Sequence, residues 1–145
     1  LLLKETCHSY QSVYKKNPII FNNKNETKSL VVNASADLLV QMLDKLVDNA
    51  VGFSEEGSSI SINFIQSSSG YKIQVINSGS QLPEQNIDSL FQQLVSYRSK
   101  GDQNPHLGLG LFIARLISEF HGGTITAKNL DDGKGVCFSV CLPFS

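Results

Sequence analysis

The sequence predicts a two-layer α/β sandwich, a mixed and mostly antiparallel sheet of about five strands packed against three helices. Three observations carry that expectation. Two stretches, 37–53 and 109–120, place apolar residues at steps of three and four, the helical period. Several short segments alternate or run apolar between turns rich in Gly, Ser, Asn and Asp, as strands do. Strand and helix patterns are also interleaved along 145 residues, a length that fits one domain with a full core.

Residues 1–16, with Leu1, Leu2, Leu3, Tyr10 and Tyr14 among polar neighbours, read as the end of a helix or a linker, and 17–145 as the domain proper. Pro18–Asn22 and Ser29–Val32 read as short strands joined by the polar turn Asn22-Asn23-Lys24-Asn25. The clearest helix follows. Ser35 or Asp37 can cap its free amides, and Leu39, Leu43, Leu46, Ala50 and Phe53 form the apolar stripe. Gly57 and its serines interrupt the chain before two alternating strands, Ser59–Ile65 and Tyr71–Ile76, with Ser67-Ser68-Ser69-Gly70 as their hairpin turn.

A polar loop containing Gly79 and Pro83 leads to a short helix around Ile87–Leu94. Residues 96–107 lack periodicity and carry Gly101 and Pro105, which predicts a mobile loop. Leu109–Phe120 is the second strong helix, built on Leu111, Phe112, Ala114, Leu116, Ile117 and Phe120 and ended by Gly122-Gly123. Thr124–Ala127 and Val136–Leu142 close the chain as a hairpin across Asp131-Asp132-Gly133-Lys134-Gly135.

Composition removes several function classes. A formal net charge of -1 with 17% charged residues gives no electrostatic basis for binding nucleic acid or an anionic membrane. Cys7, Cys137 and Cys141 lack metal-ligand spacing, and Cys137 and Cys141, in an apolar C-terminal segment, read as buried reduced thiols suited to a reducing cytoplasm. No apolar run reaches the roughly 18 residues of a membrane span. The chain begins without Met and reads as a fragment, so that any membrane anchor would lie upstream.

Three elements carry chemistry. On the first strong helix Lys45 and Asn49 lie one turn apart beside the apolar stripe. The Asn49 carboxamide oxygen suits Mg²⁺, which takes a few protein oxygens and completes its shell with water and phosphate. A solvated helix face is the plain alternative. His106-Leu107-Gly108-Leu109-Gly110-Leu111 runs directly into the second helix, where glycine backbone and free amides can approach a phosphate. It is neither a Walker A loop, since no Gly-Lys-Ser/Thr follows, nor a dinucleotide fingerprint, since no strand leads into it. Between them, Asn77-Ser78-Gly79-Ser80-Gln81 ends a strand. There Asn77 can hydrogen-bond a base edge, and Gly79 lets the base lie against the backbone.

Leu43–Ser54 (LDKLVDNAVGFS), Asn77–Gln81, Leu90-Phe91, the GLGL of 108–111 and the ending HGGTITAKNL…GKGVCFSVCLP together resemble the N, G1, F and G2 boxes and closing hairpin of sensor histidine kinases. Those kinases belong to the ATPase superfamily that includes gyrase, the heat-shock chaperone ATPases and MutL. The likeness covers roughly residues 17–143, and the HGG turn with its hairpin favours the kinase branch over the ATP-gated clamps. LDKLVDNA, NSGSQLPE and PHLGLGL are also similar to kinases of dedicated sortase systems in proteobacteria.

The resemblance implies ATP and Mg²⁺ as cofactors, with Asn49 as metal ligand and catalytic residue. Gly108, Leu109, Gly110 and Leu111 would form the phosphate turn, and Asn77 with Gly79 the base site. Arg98 and Lys100 would lie in the ATP lid, with His106 at its end as a phosphate donor or helix cap. Some positions depart from the family. His106 and Gln81 replace glycines, Asn77 replaces the aspartate that accepts from the adenine amino group, and Gly52 replaces a phosphate-contacting lysine. An Asn oxygen can still accept that bond, while the flipped amide can donate to a guanine carbonyl. Lys45, one turn from Asn49, is expected to supply the missing charge, a surface lysine being the alternative.

His8 is followed by Ser, His106 belongs to the glycine segment and His121 to the turn, so none fits the acceptor motif of such kinases. The resemblance therefore implies an upstream dimerisation and phospho-acceptor domain, a response regulator as partner of the full kinase, and no nucleic acid. It implies a monomer for the isolated domain and a cytoplasmic placement beneath an inner-membrane sensor. A degenerate, non-catalytic nucleotide-binding or protein-interaction module is the competing reading, favoured by the four departures.

Overall fold

The computed structural model describes residues 2–23, 35–79, 107–131 and 133–143. Expectations for a strand at Ser29–Val32, a helix at Ile87–Leu94 and all but the last residue of the loop at 96–107 lie outside them, and that last residue, Leu107, is helical. Along the chain come α1 (Leu2–Val13), β1 (Ile19–Asn23), α2 (Ala36–Phe53), β2 (Ile60–Gln66) and β3 (Gly70–Ser78). Then follow α3 (Leu107–Phe120), β4 (Thr124–Asn129) and β5 (Gly135–Pro143).

The strands form one five-stranded sheet in the order β1-β2-β3-β5-β4. β1 runs parallel to β2, and every other neighbouring pair is antiparallel. Alternation along each strand sends one residue set toward the helices. Register aligns these sets into apolar rows, Ile62–Val75–Phe138–Ala127 and Phe64–Ile73–Val140–Ile125. All eight are buried. The row at the end of the sheet reads Ile60–Asn77–Val136, so Asn77 is an amide on an apolar face. The opposite face carries a polar row, Asn22–Asn63–Gln74–Ser139–Thr126. In it Asn22 Nδ2 donates to Asn63 Oδ1 at 3.0 Å.

α2 begins as its sequence directs. The Ser35 hydroxyl accepts from the Leu38 amide at 3.4 Å, and Leu39, Met42, Leu43, Leu46, Val47 and Ala50 are buried along one side. α3 packs against α2, burying Leu111, Ala114 and Ile117. It ends in a Schellman arrangement. The Gly123 amide bonds Ser118 O at 2.8 Å and the Gly122 amide bonds Glu119 O at 2.9 Å, with Gly122 at φ +75. His121, in that turn, ties the two helices. Its Nε2 accepts from the Ser35 amide at 3.2 Å and its Nδ1 donates to Ile117 O at 2.8 Å.

α3 starts at Leu107, two residues before the expected Leu109, which places Gly108 and Gly110 inside the first helical turns rather than in a loop. Glycine is a poor helix former, and packing on α2 overrides that here. α1 packs beside β1, and its Cys7 and Tyr10 are part of the core. Burial pushes the Cys7 thiol up to about 12.

Candidate functional site

Asn49 stands near the C-terminal end of α2 at 2% exposure, and its Nδ2 has no hydrogen-bond partner among the described residues. Such an amide costs stability unless something satisfies it. Across from it lies Gly110. A Cβ built there would sit 3.5 Å from Asn49 Oδ1, 3.7 Å from Lys45 Cδ and 3.8 Å from Lys45 Cβ. Those are ordinary contact distances, so packing does not demand glycine at this position. Its hydrogen instead leaves a methyl-sized hollow before the Asn49 oxygen, at a helix start whose first amides have no helical partners.

Gly79 differs. A Cβ there would come within 2.3 Å of Phe53 O, and its φ is +149. The end of β3 is sewn tightly to the end of α2, with the Glu55 amide on Ser78 O at 3.1 Å and the Gly79 amide on Lys134 O at 2.9 Å. Gly79 thus has a packing reason for being glycine, whatever lies beside it. Asn77, two residues earlier, is 1% exposed, and neither its Oδ1 nor its Nδ2 finds a partner among the described residues.

Lys45 is half-buried and borders two places, the glycine turn of α3 and a cleft of about 410 Å³ between α1 and α2. Tyr10 donates to Asp44 Oδ1 in that cleft, and Tyr14 to Asp48 Oδ1 at 3.5 Å. Burial first, then the Asp44 bond and charge, raises Tyr10 well above the phenol range. Burial with the charges of Asp48 and Asp44 pushes Tyr14 up to about 12. The sequence reading passed over these pairs, although Tyr10/Tyr14 and Asp44/Asp48 are each spaced by four, the step that puts two residues on one helix face.

The structure therefore brings Asn49, Lys45 and Gly110 together, with Gly108 and Leu109 in the same helical turn. The Leu111 side chain is buried at 1% exposure, which leaves only its backbone for a ligand. Arg98, Lys100 and His106 lie outside the described residues. Among the described residues no group of three or more His, Cys, Asp or Glu side chains could hold a metal. A single amide oxygen set against a glycine at a helix start fits a cation that draws its remaining oxygens from phosphate and water. No helix among the described residues is long and apolar enough to cross a membrane.

Residues 34–145 match the family described as histidine kinase-, DNA gyrase B- and HSP90-like ATPases. The chain belongs to that family. It is 32% identical over 115 residues to the sensor protein KdpD of Clostridium acetobutylicum, covering 79% of this chain and 13% of KdpD. It is 31% identical over 122 residues to the sensor protein SrrB of Staphylococcus aureus, covering 82% of this chain and 20% of SrrB. The chain thus spans a small part of the curated relatives it matches. A nucleotide-free catalytic domain of histidine kinase ThkA superposes with a TM-score of 0.77 at 28% identity, covering 99% of this chain and 93% of that one. Within the family, then, this is the ATP-binding catalytic domain of the sensor histidine kinase type.

Proposed function

We propose that this domain binds ATP with Mg²⁺ between α2 and the start of α3 and presents the γ-phosphate to a histidine on an upstream dimerisation domain. The observation that carries the reading is Asn49 Oδ1 set against Gly110 at the start of α3, with the Asn49 Nδ2 donor left without a described partner, free for a phosphate oxygen. Asn49 Oδ1 would hold the metal, and the first amides of α3, from Leu107 to Leu109, would receive the phosphate oxygens. Magnesium, when bound, neutralises phosphate charge as the phosphoryl group leaves. Lys45, bordering the same turn, supplies a cation where Gly52 offers none. Arg98, Lys100 and His106 would close over the phosphates, Asn77 would meet the base, and Gly79 would hold that strand end against α2.

In this reading residues 1–16 lead from the dimerisation domain and 17–145 form the catalytic domain. The whole protein would be an inner-membrane sensor with this domain in the cytoplasm, passing its phosphoryl group to a response regulator. Titrating the chain with ATP, with and without Mg²⁺, tests the core of the proposal. Metal-dependent binding is expected, and its absence would sink the kinase reading. Lys45→Ala is expected to weaken ATP binding about tenfold, as loss of one charge-assisted contact does. Unchanged affinity and turnover would remove Lys45 from the site.

A further inference from the structure

Asn77 combines a fixed backbone with an unassigned side chain. Its strand is paired on both sides, with Ile60 and with Val136, and the two residues that follow are bonded to Glu55 and Lys134. The carboxamide, by contrast, stands on the helix-facing side of the sheet with no described partner on either atom. An aspartate in such a place is acceptor-only when ionised, whereas a carboxamide offers one acceptor and a donor pair. Its two orientations expose opposite hydrogen-bond patterns, and no described protein bond favours either.

A 6-aminopurine presents an amino donor next to the N1 acceptor. A 6-oxopurine presents the O6 acceptor next to an N1–H donor. A carboxamide is complementary to both edges, one in each orientation, just as it meets the N6 and N7 edge of adenine in nucleic acids. Resting on the nucleotide reading above, we infer that Asn77 makes this domain accept 6-oxopurine nucleoside triphosphates as well as ATP. Strong rejection of an analogue needs a polar site group that the analogue leaves unpaired, and an amide that can be seated either way round leaves none.

The experiment is competition against a fluorescent ATP analogue on the 145-residue chain with Mg²⁺, using ATP and inosine triphosphate, which changes the six-position without adding a 2-amino group. Inosine triphosphate is expected within about tenfold of ATP, far short of the rejection seen at a fixed polar site. A larger gap, with ATP still binding, overturns the inference and leaves the nucleotide reading intact. Failure of ATP itself to bind removes both. In Asn77→Asp the acceptor-only side chain is expected to widen the preference for ATP at least about tenfold. An unchanged ratio in a folded variant also overturns the inference. Should that variant not fold, the wild-type comparison decides alone.

Discussion

Asn17 and Asn77 are both almost fully buried, at 5% and 1% exposure, yet the chain treats them in opposite ways. Asn17 Nδ2 lies within hydrogen-bond distance of Ser54 Oγ at 3.1 Å, Glu55 O at 3.2 Å and Ser58 O at 2.9 Å. It staples the segment after α2 and is satisfied there. Asn77 and Asn49, on the neighbouring β3 and α2, keep amide atoms with no described partner in a protein interior that penalises such atoms. One region uses its amide to hold the fold. The other holds amides the fold does not need, as expected where a ligand completes the hydrogen bonding.

Four substitutions sharpen or break that contrast. Asn49→Ala has the largest expected effect, roughly a hundredfold loss of Mg²⁺-dependent ATP affinity, equal to about 2.7 kcal/mol. Thermal stability without nucleotide should hold or rise, and a collapse of the apo fold would return Asn49 to the structural class. Asn17→Ala is the mirror case. It should cost about 1–3 kcal/mol in a urea titration, because it strips a buried staple, while nucleotide affinity measured below the unfolding transition stays level.

Gly110→Ala comes next. Replacing a helical glycine should stabilise the apo domain by up to about 1 kcal/mol while its methyl fills the hollow before Asn49 and weakens ATP binding. Stability and affinity falling together would make Gly110 a packing glycine like Gly79. The smallest effect belongs to Tyr14→Phe. The folded Tyr14 value is raised above the ordinary 10 to about 12, so the folded state keeps its proton while the unfolded phenol releases it. Its contribution to stability is whole below pH 10 and is lost as pH rises to about 12. The variant should show a shallower fall of the urea midpoint across that window, Tyr10 and Cys7 still adding their share. Superimposable profiles would dismiss the Tyr14 contribution.

Much of this molecule was legible in its sequence because the relevant physics is local. The α2 stripe, the Ser35 cap, the β2–β3 hairpin and the glycine end of α3 follow from period, capping and turn chemistry. What escaped depends on distant partners. Nothing near Cys7 or Tyr10 announces that α1 shares the core, since their packing partners lie far along the chain. The parallel pairing of β1 with β2 is likewise set across α2. In the candidate site, the neighbourhood of Asn49 and GLGL was expected. The close backbone contact at Gly79 and the absence of described partners at Asn77 became visible only when α2 and β3 were seen side by side.

His121 carries a consequence of another kind. A histidine that accepts a phosphoryl group must offer a ring nitrogen with a free lone pair. A neutral imidazole has one such nitrogen, the other bearing the proton. In His121 the Nδ1 proton is directed at Ile117 O, and the Nε2 lone pair is engaged by the Ser35 amide. The ring closest to the helix-ending glycines is therefore chemically mute while the fold is intact. Attack on phosphorus through its Nε2 would first require the Ser35 cap of α2 to let go of the ring.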